Sequence, residues 1–577
     1  MTVRLHPIPS TLRRLADVAR GTSEADLVVT GGALVSVFTE EVLEGWGLAI
    51  ADGRVAFVGP DAEVAARAGD GTERVELGGD LVAPGLVEGH THFTRIGIAD
   101  MADLQVRAGV TTTIVESLEP AVVLGPDGIR ALLTAAEGVA GRFFLAASGL
   151  VVGDPEHDRR LDAHDWVSLL DHPGVVGLGE VYWADLLRGH RRTEAMVAAA
   201  LDRGLAVEGH GAGARPAALN ALAAFGVTAD HEAISAEEVL ARLRLGLHAE
   251  LRHGATRQDL PAVSAVWRRG GVDGAGLSFV TDGLEPESLA RGDSLNWVVE
   301  RAVELGLPLP RAIRMASRNV ALRFGLGRWL GGLGPAMLAD LCVLPRGGGF
   351  RPRLVLVGGR RPAPSRPPDY PAWMLDTVRL SGLRPELLAH PGAGRWRAMR
   401  QVTPVVTREV ESDGSAAVAC AVVDRLGPSR GFRGLWEGSG LRGGGVAISS
   451  CWECPGLLVT GDRPGDMAVA ARRVQDLRGG AAVVRDGRVL AEWRAPVAGI
   501  YGTAPYERVV EEVGAVNGAL AELGCPWPNP LLTLETLTTA AIPFLRIWAG
   551  GYFRLRDGAH VGLDWDSDRG RRAPAEQ

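Results

Sequence analysis

The chain has 577 residues, of which 46% are hydrophobic and 23% are charged, and its formal net charge at pH 7 is -8. This composition is typical of a globular protein and excludes an extensively disordered chain, and the modest negative charge without a dense arginine run gives no indication of nucleic-acid binding. The length exceeds what a single core can fill, so we expect about three or four domains.

Two residue types narrow the possible chemistry. The chain contains no lysine, which excludes a Schiff-base lysine, a P-loop lysine and a carboxylated lysine between two metals. Five cysteines do not indicate the disulfide framework of a secreted protein. The N-terminus lacks the apolar core of a secretory signal, and no run of about 20 apolar residues would span a bilayer, so we expect a cytoplasmic protein.

Short alternating strands separated by glycine turns occupy the chain from Asp26 to about Val82. Asp52-Gly53 between two apolar runs predicts a β-hairpin. The same kind of strand returns far downstream, at 339–344 and 354–359. A β layer divided between the two flanks of a segment predicts that this segment is an inserted domain.

The inserted segment, 84–335, alternates short apolar runs with stretches of helical spacing. Eight runs predict strands, which is the pattern of a (β/α)8 barrel of the TIM type, where reactive groups stand at the carboxyl ends of the strands. The predicted strands are the run that leads into His90 and the segments 111–117, 142–149, 175–181, 205–211, 226–232, 246–251 and 277–283.

His90-Thr91-His92 ends an apolar run, from Leu81 onwards, that we interpret as one buried strand. Residues two apart on a strand point the same way, so both imidazoles can reach one ion. A single His-x-His pair more often consists of surface or hydrogen-bonded histidines, so further ligands must come from elsewhere in the chain.

Acidic and imidazole side chains also stand at later strand ends. Each alone has an ordinary alternative, as a surface residue, a hydrogen-bonded core histidine or a helix cap. Together, in chain order, they form a set of imidazoles and carboxylates that is sufficient for two divalent cations. The predicted metal ligands are His90, His92, Glu180, His210, His231 and Asp282.

Residues 345–410 are rich in Gly, Arg and Pro and predict loop or linker structure, and a new β-rich domain with a helix near 467–477 begins after about Thr403. We therefore predict an α/β protein with a split β-sandwich, a barrel and an additional α+β domain. The predicted segments are 1–83 (first part of the sandwich), 84–335 (barrel), 336–365 (second part of the sandwich), 366–402 (linker) and 403–577 (C-terminal domain).

Several stretches resemble the amidohydrolase superfamily and, within it, the bacterial adenine deaminase family. In the barrel they are APGLVEGHTHF, GLGEV, GHGAG, TADHEAISAEEVLARLRLGL and FVTDG. In the last domain, RGGGVAISS, LLVTGDRPGDMAVAARRV, APVAGIYG and IPFLRI resemble a C-terminal region that ordinary amidohydrolases lack. The resemblance covers nearly the whole chain.

The resemblance implies a binuclear metal-dependent hydrolase that acts on a small molecule, deaminating adenine or a related aminated heterocycle and releasing ammonia. It favours manganese or iron as the two divalent ions, and the ligand types are also compatible with zinc. It further implies a homo-oligomer, a dimer or larger.

The implied roles divide the ligands between two ions. His90 and His92 would bind one ion and His210 and His231 the other, with Glu180 bridging them. Asp282 would bind the first ion and carry the proton of a shared, acidified water to the leaving amine, after attack at C6 of adenine. The implied catalytic residues are Asp282, Glu180 and His231.

Residues beside the ligands depart from the family pattern. The family has Ile-Glu-Ser-Ser where this chain has Phe-Thr-Arg-Ile at 93–96. The family's Asp-Pro-His-Glu is Glu-Ser-Leu-Glu at 116–119. Its Thr-Asp-Asp is Thr-Asp-Gly at 281–283. These changes indicate a changed substrate. Arg95 either pairs with an acidic group of that substrate or points away and neutralises Glu116 or Glu119. The candidate substrate-binding residues are Arg95, Glu116, Glu119, Trp183 and Glu232.

Cys451-Trp452-Glu453-Cys454 stands where the family has His-Asp-Ser-His. Cys-x-x-Cys can bind a soft metal or form a redox pair, but with no second pair in range we favour two buried or pocket-lining thiols. Trp452 and Glu453 are further candidates for substrate contact.

Two alternatives to a deaminase remain open from the sequence. One is an amidohydrolase that cleaves a C–N bond of a cyclic or acyclic amide bearing an acidic group, which would meet Arg95. The other is an inactive homologue that binds a metabolite. The complete ligand set argues against the second, because buried acids and imidazoles are costly to keep without a metal.

Overall fold

The computed structural model of the protein describes residues 4–567 except 94, 150–162, 270, 271, 273, 381, 427–429, 543 and 556. The elements that precede the barrel are short strands and two helices. They are α1 Pro9–Ala19, β1 Leu27–Thr30, β2 Ala33–Ser36, β3 Glu41–Glu44, β4 Trp46–Ala51, β5 Arg54–Pro60, α2 Asp61–Ala65, β6 Glu73–Glu76 and β7 Leu81–Pro84.

Two sheets form the predicted split β-sandwich. One has the strand order β5-β4-β1-β6. The other contains β3, β2 and β7 together with two strands from beyond the barrel, β16 Leu341–Leu344 and β17 Leu354–Leu356, and β16 pairs antiparallel with β7. Asp52 and Gly53 join β4 to β5 with φ of 51° and 73°, as the predicted hairpin requires.

The eight parallel strands of the barrel follow one another in the sheet in chain order. The sheet closes where its last strand meets its first, because the N–H of Asp282 donates to the carbonyl oxygen of His90 at 3.1 Å. The predicted (β/α)8 barrel is confirmed. Its strands are β8 Leu86–Thr91, β9 Val110–Glu116, β10 Arg142–Ala147, β11 Val175–Tyr182, β12 Ala206–His210, β13 Ala229–Asp230, β14 His248–Arg252 and β15 Leu277–Val280.

Helices cover the outside of the barrel. Their limits follow local signals, as where Ser235 accepts a hydrogen bond from the N–H of Glu238 and caps the helix that begins at Ala236. The helices are α3 Ile98–Arg107, α4 Leu118–Ala136, α5 Ala163–Leu169, α6 Trp183–Leu187, α7 Arg191–Asp202, α8 Pro216–Ala224, α9 Ala236–Arg244, α10 Leu260–Val263, α11 Pro286–Ala290, α12 Leu295–Glu304, α13 Leu309–Met315 and α14 Arg318–Arg323.

The apolar run that leads to His90 is two strands rather than the single strand expected. β7 belongs to the sandwich and β8 to the barrel, with Gly85 between them. The N–H of Gly85 donates to the carbonyl oxygen of Asp340 at 2.9 Å, and a Cβ at Gly85 would lie only 2.3 Å from the Thr111 side chain. Both strands are fully buried, so hydrophobicity alone does not reveal the change of sheet.

The C-terminal region holds an eight-stranded sheet of order β19-β18-β21-β20-β23-β22-β24-β25 and a small sheet β26-β27-β28. Its helices are α15 Pro385–Leu388, α16 Pro464–Asp476, α17 Tyr506–Glu522 and α18 Pro530–Glu535. Its strands are β18 Trp396–Gln401, β19 Thr407–Ser412, β20 Ala417–Asp424, β21 Gly431–Glu437, β22 Gly445–Ile448, β23 Gly456–Gly461, β24 Gly480–Arg485, β25 Arg488–Arg494, β26 Leu545–Trp548, β27 Gly551–Arg554 and β28 Ala559–Val561.

Strand β18 lies inside the segment predicted as a linker, yet it pairs with both β19 and β21. The predicted segment limits stay a prediction, because sheet membership does not define where a domain ends. One apolar core runs from the barrel into the C-terminal region, and the ring of Phe93 stacks on that of Tyr501 at 5.4 Å. Within the described residues, no helix has the length and apolarity needed to cross a bilayer.

Candidate metal centre

The barrel brings all the predicted metal ligands together at the carboxyl ends of its strands. Each is buried, and the distances between their ligand atoms divide them into two groups that share one carboxylate. In each group the ligand atoms lie within 4.8 Å of one another. The first group is His90, His92, Glu180 and Asp282, and the second is Glu180, His210 and His231.

Glu180 stands between the two groups. Its Oε1 atom lies 3.4 Å from Nε2 of His90 and 3.3 Å from Nε2 of His231. The other oxygen, Oε2, accepts a hydrogen bond from the hydroxyl of Tyr182 at 3.3 Å. The backbone N–H of Glu180 donates to Oε2 of Glu116 at 2.8 Å, so Glu116 fixes the strand end that carries the shared carboxylate.

Asp282 joins the first group from a left-handed backbone conformation, with φ of 52°. Its Oδ1 atom lies 3.2 Å from Nε2 of His92. Its Oδ2 atom accepts from NH1 of Arg252 at 2.8 Å and from the hydroxyl of Thr256 at 2.9 Å. One oxygen of the carboxylate therefore faces the imidazoles while the other is held by the protein.

The charges of the cluster favour a cation. Burial alone would lower the pKa of His90, but the carboxylates of Asp282 and Glu180 outweigh burial and hold that pKa at about 10. Burial would raise the pKa of Asp282, but Arg252 and the neighbouring imidazoles hold it well below its ordinary value. The acids thus stay ionised and attract positive charge to the cluster, whether as a proton on His90 or as a metal cation.

The donor set fits divalent cations. The Nε2 atoms of His90 and His231 are buried and make no hydrogen bond to any described residue. Buried nitrogen atoms in native proteins are normally satisfied, and a metal ion satisfies an imidazole nitrogen as a hydrogen bond does. Four imidazoles and two carboxylates, one of them shared between the groups, suit manganese, iron or zinc alike.

Glu119 supports the first group from outside it. Its Oε1 atom lies 2.8 Å from Nδ1 of His92, while Nε2 of the same ring faces Asp282. A carboxylate on the far ring nitrogen sets the orientation of a metal-binding imidazole. Glu119 also lines a cavity beside His92, whereas Glu116 is turned to backbone N–H groups.

Arg252, at the end of β14, connects the two groups of candidate ligands through carboxylates. This role was not predicted from the sequence. Its NH1 atom contacts the carboxylates of both Glu232 and Asp282. Oε1 of Glu232 in turn lies 3.4 Å from Nε2 of His231, and Arg252 with the imidazoles lowers the pKa of Glu232 to about 2 although burial opposes the shift. The only available signal in the sequence was its position at a strand end of the barrel.

A cavity of about 330 Å³ opens above the centre. This is the size of a small-molecule site. The barrel contributes Glu180, His210, Glu232 and Asp282 to its wall, and the C-terminal region contributes Trp452, Glu453, Ile542 and Phe544. Trp183, a predicted substrate contact, lies apart from this wall and donates its indole N–H to the carbonyl oxygen of Ala212 at 2.9 Å.

Comparison with known proteins matches both parts of the chain. The model of the amidohydrolase family matches residues 81–361, and that of the adenine deaminase C-terminal domain matches residues 397–558. The adenine deaminase of Cenarchaeum symbiosum is 31% identical over 96% of this chain and 96% of its own length. The chain belongs to the adenine deaminase family. Similar relatives are the adenine deaminase of Moorella thermoacetica, 31% identical over 94% of this chain and 96% of its own length, and adenine deaminase 3 of Rhizobium meliloti, 32% identical over 94% and 97%.

In this member of the adenine deaminase family, the partners of Arg95 are carboxylates other than Glu116 and Glu119. Arg95 is buried and pairs with Glu285, at the start of α11, and with Glu535, at the end of α18. Its predicted neutralisation of Glu116 or Glu119 is therefore wrong. A role of Arg95 in substrate binding stays a prediction, because Arg95 lines the smaller cavity beside His92.

The Cys-x-x-Cys segment contributes Trp452 and Glu453 to the wall of the cavity above the metal centre. The Trp452 ring stacks on that of His92, with centroids 5.7 Å apart and planes 8° apart. Glu453 accepts from the N–H of Ala540 at 2.6 Å, and burial raises the pKa of this carboxyl to about 8. Cys451 and Cys454 are buried, form no disulfide, and belong to none of the potential metal groups within the described residues.

Proposed function

We propose that the protein hydrolytically deaminates adenine or a closely related aminated heterocycle and releases ammonia. The observation that carries the proposal is the shared carboxylate Glu180 between two groups of buried ligands, at the floor of a cavity of about 330 Å³. The relatives named adenine deaminase, similar over nearly the full chain, support it. Manganese or iron is proposed from the resemblance, with zinc compatible.

The proposed ligand assignment follows the two groups. His90, His92 and Asp282 would hold one ion, His210 and His231 the other, and Glu180 both. Ions bound there supply a nucleophile at neutral pH by acidifying a water molecule.

Proton transfer is then carried out by side chains of the protein. Oδ1 of Asp282 faces the centre, whereas Oδ2 accepts hydrogen bonds from Arg252 and Thr256, and we assign acceptance of the proton of the attacking water to this carboxylate. Asp282 returns this proton to the exocyclic amine as the C–N bond breaks, and the second proton of the water ends on the ring nitrogen N1, so that adenine and water give hypoxanthine and ammonia. The stacked Trp452 helps to exclude bulk water from this side of the centre.

The alternative of an amide with an acidic group has less support than deamination. In that alternative the acidic group of the substrate pairs with Arg95, but Arg95 already pairs with two carboxylates. The alternative of an inactive homologue requires that the buried ligand set be kept without a metal, which is energetically costly. The cytoplasmic location and a homo-oligomeric state stay predictions.

The decisive experiment measures ammonia release from adenine and a panel of aminated purines and pterins, with protein loaded with manganese, iron or zinc. Release is expected, and His210→Ala should abolish it together with part of the bound metal. His172→Ala is the matched control, because His172 lies outside the metal centre and contacts the backbone of Gly174. No ammonia from any compound under any metal would refute the deaminase proposal.

A further inference from the structure

A second, smaller cavity of about 40 Å³ adjoins the metal centre. It shares four wall residues with the main cavity, so the two spaces are neighbours: His92, Thr256, Asp282 and Trp452. Its remaining wall includes the cluster Arg95, Glu285 and Glu535. This cluster therefore lines a space that adjoins the metal centre.

The cluster combines one basic side chain with two acidic ones, so its carboxylates outnumber its guanidinium. Arg95 donates from Nε to Oε1 of Glu535 at 3.0 Å, from NH2 to Oε2 of Glu535, and from NH1 to Oε2 of Glu285. The hydroxyl of Ser450 also donates to Oε1 of Glu535, at 2.6 Å. One guanidinium thus serves two carboxylates, and both oxygens of Glu535 are occupied.

Glu285 is different. Only its Oε2 atom is bound by Arg95, and no described residue donates to its Oε1 atom. Its side chain is 20% exposed, compared with 2% for Glu535. Although Glu285 is the N-cap residue of α11, its side chain makes no cap hydrogen bond. The cluster therefore offers one carboxylate oxygen as an acceptor at the cavity wall.

We propose that Glu285 determines specificity by accepting a hydrogen bond from a ring N–H of the heterocycle, while the Arg95–Glu285–Glu535 cluster excludes substrates that carry an acidic group. The proposal rests on the proposed function and specifies its substrate class. A substrate with a ring N–H satisfies Oε1 of Glu285, whereas a carboxylate there meets a second carboxylate and a guanidinium that is already paired.

The size of the effect follows from the bond type. A hydrogen bond to a charged acceptor contributes more than one between neutral groups, and an analogue that lacks the donor leaves a partly buried acceptor without a partner. We expect an otherwise similar heterocycle without the N–H to bind about 10- to 100-fold more weakly.

The test compares adenine with an aminothiazolopyrimidine, in which sulfur replaces the imidazole N–H, in binding to the metal-loaded protein and in kcat/KM. Wild-type protein should favour adenine by about 10- to 100-fold in both measurements. Glu285→Ala should reduce this ratio to near one, whereas Glu285→Gln, which keeps an acceptor oxygen, should preserve much of it. Glu287→Gln, a change of an exposed acid on the same helix, should leave the ratio unchanged.

The outcomes separate this inference from the proposed function. If wild-type protein releases no ammonia from any heterocycle, the deaminase proposal fails, and the ratio of binding constants still decides the role of Glu285. If wild-type protein binds the two heterocycles equally, or if Glu285→Ala keeps the wild-type ratio, Glu285 is not the acceptor. Equal binding of the two heterocycles by wild-type protein overturns the proposal even if Glu285→Ala does not fold. Equal binding of adenine and a carboxylated purine would overturn the exclusion of acids.

Discussion

Arg95 and Glu535, which are 440 positions apart in the chain, form a two-pronged ion pair in which Nε of Arg95 lies 3.0 Å from Oε1 of Glu535. The pair joins the loop after the first barrel strand to the C-terminal region. Next to it, the carbonyl oxygen of Arg95 accepts from the N–H of Gly502 at 2.8 Å. The segment that departs from the family pattern therefore helps to attach the C-terminal region to the barrel mouth.

Breaking this pair should destabilise the protein. Glu535→Ala leaves the buried guanidinium of Arg95 with Glu285 as its remaining carboxylate partner, and removing one partner of a buried pair typically costs about 3–5 kcal/mol. We expect a cost at or below the lower end of that range. The measurement is the free energy of unfolding in denaturant.

The control for this prediction is Arg379→Ala, which breaks an exposed ion pair with Asp376 and should cause no measurable change. A double-mutant cycle of Arg95→Met and Glu535→Ala should show that the two changes are far from additive. Additive costs would mean that the two side chains contribute independently.

Asp282→Asn should abolish turnover while leaving metal bound. The amide keeps an oxygen that can face the centre but cannot take up the proton of water, and loss of a positioned acid–base group typically reduces the rate by about 10²–10⁴. Steady-state kinetics and metal analysis on the same sample check this. Asp293→Asn is the control, because Asp293 belongs to none of the potential metal groups of the described residues and pairs with Arg351. Near-wild-type turnover by Asp282→Asn would exclude the proton-transfer role.

Glu119→Gln should weaken metal binding without removing a ligand. Glu119 lies 2.8 Å from Nδ1 of His92, and loss of such a supporting carboxylate typically lowers metal affinity by about 10- to 100-fold. Competition with a chelator measures the affinity. Glu137→Gln, at the exposed end of the same helix region, should bind metal as the wild type does, and unchanged affinity in Glu119→Gln would show that His92 is oriented by other contacts.

Local residue patterns in the sequence predicted the barrel strands and the candidate ligands at their ends. The eight barrel strands follow from short apolar runs, and the ligands follow from polar residues at the ends of those runs, because a parallel barrel brings all carboxyl ends to one face. The partners of Arg95 were not predictable, since Glu285 and Glu535 come from distant elements with no local signal. Arg252 was missed for the same reason, because its role depends on carboxylates 20 and 30 positions away.

The stability of the C-terminal region should fall in acid through Glu409. This carboxylate accepts from Arg397 and Arg554, which together lower its pKa below the ordinary value of 4.5 although burial opposes the shift. Because the folded-state pKa is lowered, the stabilisation is present above about pH 4.5 and is lost as the pH falls through the folded-state value. Glu409→Gln should therefore lower stability at neutral pH and flatten its decline below pH 4.5. Unfolding of metal-free protein across this range measures the difference, with the exposed Glu304→Gln as control. A constant difference between Glu409→Gln and wild type at every pH would show that the ion pairs do not set the acid dependence.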